Sequence, residues 1–334
     1  EYMKDIILTG IKPTGKLHFG NYFGAIKPAL ELAKNSNTEA MFFIADYHAL
    51  NLIKDANLFK QNSLEEAATW LACGLDEANV IFYRQSDIPE VFELNWILSN
   101  VTPKGLMNRA HAYKAVVEKN LNDEKDPDDG INMGLYNYPI LMTADILAMN
   151  SKFVPVGEDQ KQHVEIAREI ARIFNKTFGE TFVVPEEKIS KGVGTIPGLD
   201  GRKMSKSYNN TISIFCDEAE LKKKINRIVT DSSLPTDPKS TDCYIFQMYS
   251  LFANEKQIEE MKEKFAKGIS WGEVKAATFE VANNYLKDMR EKYNFYMSHP
   301  EEVERILQEG SKKAREIAAN ILKKVREKIG KSSF

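Results

Sequence analysis

Lys4-Asp5-Ile6-Ile7-Leu8-Thr9-Gly10-Ile11-Lys12-Pro13-Thr14-Gly15-Lys16-Leu17-His18-Phe19-Gly20-Asn21-Tyr22-Phe23-Gly24 carries the information that settles the fold. Ile6-Ile7-Leu8 is a short apolar run of the buried-strand kind. A loop bearing Gly10, Pro13 and Gly15 follows, and a helical pattern runs from about residue 21 to residue 33. Glycines in such a loop let a ligand approach the backbone. The helix start beyond His18 offers free N–H groups and a positive dipole end, which suits phosphate. Taken alone, the loop is equally a plain turn. Outward from it, residues 40–45 form a second strand and 57–73 an amphipathic helix closed by Gly74. Residues 80–83 and 153–156 form two more strands. Continuous apolar strands spaced by helices predict an α/β, Rossmann-like, doubly wound parallel sheet. Ligands of such sheets bind beyond the carboxyl ends of the strands.

The chain has 334 residues, enough for about two domains. Hydrophobic residues at 43% and charged residues at 28% exclude global disorder. Lys+Arg at 45 against Asp+Glu at 48 gives a net charge of −3, so any nucleic-acid contact needs a local basic face. Cys73, Cys216 and Cys243 are odd in number and far apart, which argues against a disulfide framework or a zinc site. No apolar run reaches membrane-spanning length, and the first strand begins too early for a leader peptide. Glu1 and Tyr2 before Met3 read as an expression remnant. The expectation is a cytoplasmic protein with no membrane partner.

Strands give way to helices near Phe215. Residues 1–215 are therefore expected to form the α/β domain and 216–334 a helical one, with the last helix free to pack back on the first domain. Breaks are expected at 232–238 and at His299-Pro300. The acidic segment 122–132 reads as a solvated loop. Residues 311–334 hold eight Lys/Arg and two Glu, a local +6, which fits a solvated helix or a contact to an RNA backbone.

Three further segments carry chemistry. Lys203-Met204-Ser205-Lys206-Ser207 follows Gly198-Leu199-Asp200-Gly201-Arg202. Two ammonium groups three residues apart in a glycine-flanked loop can neutralise a leaving pyrophosphate. Tyr138-Pro139-Ile140-Leu141-Met142-Thr143-Ala144-Asp145-Ile146-Leu147 reads as a helix with Pro139 near its first turn. Tyr138, Met142, Asp145 and Met149 share one face. Asp145 is a carboxylate in an apolar helix; it suits an indole N–H, a donor without acceptor capacity, or it pairs with a nearby Lys or Arg. In Val154-Pro155-Val156-Gly157-Glu158-Asp159-Gln160-Lys161-Gln162-His163, Asp159 is placed to cap a helix, and Gln160 offers a donor and an acceptor to an amino acid's ammonium and carboxylate.

His18-Phe19-Gly20-Asn21 and Lys203-Met204-Ser205-Lys206-Ser207 together resemble the two signature motifs of class I aminoacyl-tRNA synthetases. The family's first motif usually reads His-Ile-Gly-His; Asn21 at its fourth position is a departure found in the tryptophan branch. The helix around Asp145 resembles the indole-recognition helix of bacterial-type tryptophanyl-tRNA synthetases. The stretch 157–163 is similar to their Gly-x-Asp-Gln-x-x-His pattern, and Asp46-Tyr47-His48-Ala49 and Arg109-Ala110-His111-Ala112-Tyr113-Lys114 match as well. Family members often carry Gln where Lys12 stands.

The resemblance implies a ligase that activates L-tryptophan with ATP and Mg²⁺ and transfers it to the 3′-terminal ribose of tRNA(Trp). It also implies a homodimer whose helical part meets the anticodon. It implies catalytic roles for His18, Asn21, Lys114, Lys203, Ser205 and Lys206. ATP binding falls to Lys12, Thr14, Gly20, Asn21, Gly157, Asp159, Gln160, Lys203, Met204 and Ser205. Tryptophan binding falls to Leu8, His48, Tyr138, Met142, Asp145, Gln160, Val154 and Val156. No metal ligand is expected from side chains. Three other readings stay open: a tyrosyl enzyme, another adenylyl-transferring enzyme, and a catalytically silent paralogue that binds RNA.

Overall fold

The structure, a computed structural model, describes residues 3–189 and 194–331; Glu1, Tyr2 and the end of the basic tail beyond Lys331 lie outside these. Five strands form one parallel sheet: β1 (Asp5–Ile11), β2 (Thr38–Ile44), β3 (Val80–Arg84), β4 (Ser151–Val156) and β5 (Glu186–Ile189). Their order is β3-β2-β1-β4-β5. The direction of winding reverses between β1 and β4, where a doubly wound sheet opens a crevice for ligands.

Between β1 and β2 the chain makes one helical run in three registers: α1 (Phe19–Asn21), a π-turn (Tyr22–Ile26) and α2 (Lys27–Ala33). Between β2 and β3 lie α3 (Asp46–Ala49) and α4 (Ala56–Ala72). From β3 to β4 run α5 (Pro89–Ser99), α6 (Lys104–Asn108), α7 (His111–Asn122) and α8 (Met133–Ala148). α9 (Lys161–Phe178) joins β4 to β5. Beyond β5 come α10 (Glu218–Asn226), α11 (Tyr244–Phe252), α12 (Glu255–Lys267), α13 (Trp271–Ser298) and α14 (Pro300–Lys328). No described helix is long and apolar enough to cross a membrane.

The strands read as unbroken apolar runs because both faces of the sheet are covered, and strand periodicity splits each run between two cores. Ile7, Ile11, Phe42, Ile44 and Phe82 join one buried cluster, and Leu8, Met41, Phe43, Ile81 and Tyr83 join the other. The first cluster also holds Ile245, Phe252 and Leu286 from the helices after Asp217, so those helices and the sheet share one core.

α14 belongs to both cores. Val303, Ile306 and Leu307 enter the first cluster, and Ala314, Ala318, Ile321 and Val325 enter the second. Between them the helix crosses the edge strand β3 at Gly310, where an added Cβ would lie 1.7 Å from the Phe82 carbonyl oxygen. Ion pairs fasten the crossing. Arg84 bonds Glu304 at 2.6 Å, Arg315 bonds Glu90 at 3.0 Å, and Arg326 pairs with Glu93. Two of the basic residues expected on a solvated or RNA-facing tail are thus tied to α5. Gly310→Ala is expected to destabilise the protein by about 3 kcal/mol or more, since the obstacle is the Phe82 backbone, which is held in the sheet by β2 and cannot yield to the new methyl as a flexible side chain would. Urea denaturation of variant and parent checks it; a difference within about 0.5 kcal/mol would show that the helix slides freely at this point.

Local structure departs from expectation at three places. Pro139 lies well inside α8, which starts at Met133 and is capped by the Asn132 side chain at 2.9 Å from the Leu135 N–H. The missing N–H of Pro139 costs the Leu135 carbonyl its helical partner, and α8 tolerates this because its apolar face is held by packing. Asp159 caps nothing: it is exposed in a 3₁₀ turn (Glu158–Gln160), and Gln160 precedes α9. The fifth strand, Glu186–Ile189, has no apolar run to announce it.

Candidate active site

The end of β1 delivers Gly10 and Lys12 to the crevice, and the end of β4 delivers Gly157 and Gln160. Between them lies a cavity of about 550 Å³, lined by Gly10, Phe43, Tyr138, Met142, His48 and Gln160 among others. Lys12 brings an ammonium group to its lining. The apolar walls come from α8 and from β2, whose Phe43 would meet a Cβ at Gly10 at 3.0 Å.

Asp145 lies beneath this cavity, 2% exposed. His48 Nε2 reaches its Oδ2 at 2.9 Å, and Gln85 Nε2 donates to Oδ1 and Oδ2 at 3.0 and 2.9 Å. Burial pushes the Asp145 carboxyl above its ordinary range, against the bonds from His48 and Gln85. A second chain of polar groups adjoins the first, with the Tyr138 ring edge-on to His48. His163 Nδ1 meets Gln160 Oε1 at 2.7 Å, and its Nε2 pairs with the Tyr138 hydroxyl. Burial, reinforced by His111, lowers His163 to about 4, so its ring is neutral at pH 7. The partners assign the tautomer: Nδ1–H donates to Gln160, and Nε2 accepts from Tyr138.

The signature segments meet at the other side of the crevice. Asn21 Oδ1 accepts the His18 N–H at 3.0 Å, closing the first turn of α1. The Phe19 N–H donates to Ile212 at 3.1 Å, and the Ile214 N–H to Leu17 at 3.0 Å. The chain after Lys203-Met204-Ser205-Lys206-Ser207 is thereby laced to the chain around His18. A Cβ at Gly20 would press on the His18 ring at 2.8 Å and reach Met204 Cβ at 3.6 Å, so the close approach requires glycine. Lys206 Nζ donates to the Thr14 carbonyl at 3.1 Å. Asn210 Oδ1 accepts the Ser205 N–H at 2.9 Å, while its Nδ2 donates to Asp200 Oδ1 at 2.7 Å, fixing the loop. Burial and the Lys206 charge lower His18 to about 4, leaving a neutral ring at pH 7.

A model of the family described as tRNA synthetases class I (W and Y) matches residues 4–287. The tryptophan–tRNA ligase of Pseudomonas aeruginosa is 50% identical, over 98% of this chain and 74% of its own. The chain belongs to the class I synthetases of the tryptophan and tyrosine family. The tryptophan–tRNA ligase of Neisseria meningitidis is also 50% identical, over 98% of both chains. The solved tryptophanyl-tRNA synthetase of Campylobacter jejuni, complexed with ADP and tryptophan, is 45% identical with a TM-score of 0.89, covering 97% of this chain and 99% of that one.

In this synthetase, the expected residues fall into three groups. His48, Tyr138, Met142, Gln160 and Lys12 line the cavity, with Asp145 behind it. His18, Gly20, Asn21, Thr14, Met204, Ser205 and Lys206 form the laced junction beside it. The rest stand apart. Leu8 and Val154 are buried in the core, and Val156 packs against that core, none of them lining the cavity. Lys114 is exposed on α7, although its neighbour Ala112 lines the cavity. Lys203 is exposed, its backbone bridged to Pro197. Gly157 and Asp159 are exposed at the rim. Gln85 and Phe43 are the residues that sequence reasoning missed.

Proposed function

We propose that this synthetase ligates tryptophan to tRNA(Trp) in two steps. The observation that carries the reading is Asp145: a buried carboxylate, held by His48 and Gln85, behind a largely apolar cavity of about 550 Å³, which has ample room for an aromatic amino acid. Asp145 receives the indole N–H while Met142, Tyr138 and Phe43 wall the ring. Gln160, fixed by His163, takes the ammonium on its amide oxygen. ATP lies across the junction of the signature segments, with the neutral His18 donating to a phosphate oxygen and Lys203 and Lys206 facing the β- and γ-phosphates.

The tryptophan carboxylate attacks the α-phosphorus in line. A carboxyl O–P bond forms, the bond to the β-phosphate bridging oxygen breaks, and pyrophosphate leaves with the charge. The 2′-hydroxyl of the tRNA terminal ribose then attacks the acyl carbon, the acyl C–O bond to the phosphate breaks, and AMP leaves, its phosphate taking up the hydroxyl's proton. Both nucleophiles belong to substrates, so the protein's part is positioning and charge stabilisation. Among the described residues no three His, Cys, Asp or Glu side chains gather for a metal. Mg²⁺ would be held by the phosphate oxygens of ATP, where it neutralises leaving-group charge.

The region 1–215 would house this chemistry, and 216–334 would meet the tRNA, its anticodon end included. A second copy of the chain fits the exposed apolar groove beside the cavity, lined by Tyr47, Leu50, Phe92, Met133 and Leu141. The cytoplasm is the compartment where the substrates meet. ATP–pyrophosphate exchange tests the reading: tryptophan is expected to support exchange and tyrosine to fall short by about 10⁴-fold. Exchange with tyrosine alone would move the substrate, and none with either would remove the activity.

A further inference from the structure

Behind the groups that hold Asp145 lies a second carboxylate, which the reaction above does not touch. Asp46 opens α3, is 2% exposed and does not line the cavity. Its side chain ties two turns together. Oδ1 accepts the Ser86 N–H at 3.0 Å and the N–H of its neighbour Tyr47 at 3.0 Å, and Oδ2 accepts the Ser86 hydroxyl. Ser86 belongs to the turn that leaves β3, and α3 to the turn that leaves β2. A second tie runs beside the first: the His48 N–H donates to Gln85 Oε1 at 3.2 Å. The residues that hold Asp145 are thus chain neighbours of the residues that are tied. His48 follows Asp46 on α3, and Gln85 directly precedes Ser86.

We propose that Asp46 is a positioning residue for amino-acid selection: its carboxylate locks the β2 turn to the β3 turn and so holds His48 and Gln85 where they aim Asp145 at the indole N–H. The proposal rests on the ligase reading of the site. α3 is a four-residue helix with no side-chain cap, too short to keep its shape unaided. His48 does not fix its own ring. Nε2 meets Asp145 at 2.9 Å, while the buried Nδ1 has no hydrogen-bond partner among the described residues. The ring therefore goes where the α3 backbone carries it. Gln85 is engaged on both sides, its Nε2 by Asp145 and its Oε1 by the His48 N–H. A shift of either turn thus reaches the Asp145 carboxylate. An acceptor discriminates between substrates only while it is held close to its working position, and locking its partners from behind does that.

The test is a ratio: kcat/KM for tryptophan over that for its benzothiophene analogue, which carries sulfur in place of the indole N–H, in ATP–pyrophosphate exchange. The parent is expected to favour tryptophan by about 10³-fold or more. Asp46→Ala, which removes the tie, is expected to cut that preference by about 30-fold while the KM for ATP stays within about three-fold. Asp46→Asn is expected to bring it back to within about three-fold of the parent, since the amide oxygen still accepts the Ser86 and Tyr47 N–H groups and the Ser86 hydroxyl can turn to accept from the amide nitrogen. A role in stability alone would lower exchange with both amino acids equally, and an unchanged ratio in Asp46→Ala overturns the proposal. A loss in Asp46→Asn as large as in Asp46→Ala overturns it too, by making the charge and not the tie the working part. If Asp46→Ala does not fold, Ser86→Ala removes the hydroxyl's bond alone; a fall in the ratio of about five-fold is expected there, and no fall overturns the proposal. If the parent shows no exchange with tryptophan, the ligase reading fails instead. The ratio of calorimetric affinities for the two amino acids then decides the part of Asp46, and equal ratios in parent and variant end it.

Discussion

Asp145→Asn is expected to lower kcat/KM for tryptophan activation by about 10³-fold while the KM for ATP moves by less than about three-fold. Asparagine keeps the shape of aspartate and replaces one acceptor oxygen by an NH₂ donor. Gln85 Nε2 donates to both carboxylate oxygens and His48 Nε2 approaches Oδ2, so either amide orientation sets a donor against a donor. The buried group then turns or is left unsatisfied, at a cost of about 1–3 kcal/mol to the folded protein. It also offers no anionic acceptor to the indole N–H. Thermal melting separates the two effects, and exchange rates at saturating ATP with tryptophan varied give the kinetic one. Equal losses in tryptophan and ATP affinity would show that Asp145 serves the fold and not the substrate.

The second large effect is expected at Lys206. Lys206→Ala should lower kcat for exchange by about 10²- to 10³-fold, with the KM for tryptophan within about two-fold of the parent, because the ammonium is needed where charge develops on the departing pyrophosphate. The resting contact to the Thr14 carbonyl places Nζ beside the first signature turn and at a distance from the amino-acid cavity. A change confined to KM for tryptophan would contradict the assignment.

Much of this was legible in the sequence for one reason: groups that work alone leave a mark. β1 to β4 announce themselves because a doubly covered strand cannot alternate with polar residues. Asp145 stands out because a carboxylate in an apolar helix demands an explanation. Gln85 is silent, since an uncharged amide at the end of β3 is ordinary until the fold brings it under α8. β5 is silent for another reason. It is an edge strand of charged residues, and its pairing is supported by Lys152 to Glu186 at 2.9 Å and Arg168 to Glu187 at 2.8 Å rather than by burial. Leu8 and Val154 carry no distinguishing mark either: an apolar residue within a doubly covered strand reads the same whether it packs into the core, as these two do, or walls a ligand. The π-turn at Tyr22–Ile26 had no signal at all, and it turns Tyr22 to meet the Tyr285 hydroxyl at 2.8 Å.

The crossing of α14 over β3 has a bearing on how the protein is made. Translation writes all five strands before residue 300 exists. Until α14 is released and docks, the flank of β3 is bare and both cores are short of their final layer, so the nascent sheet offers an unpaired edge to other chains. The cover of the sheet is therefore completed well after the last strand has been made. A ribosome that stalls before α14 is released leaves a product with every signature residue in place and no finished sheet to hold them.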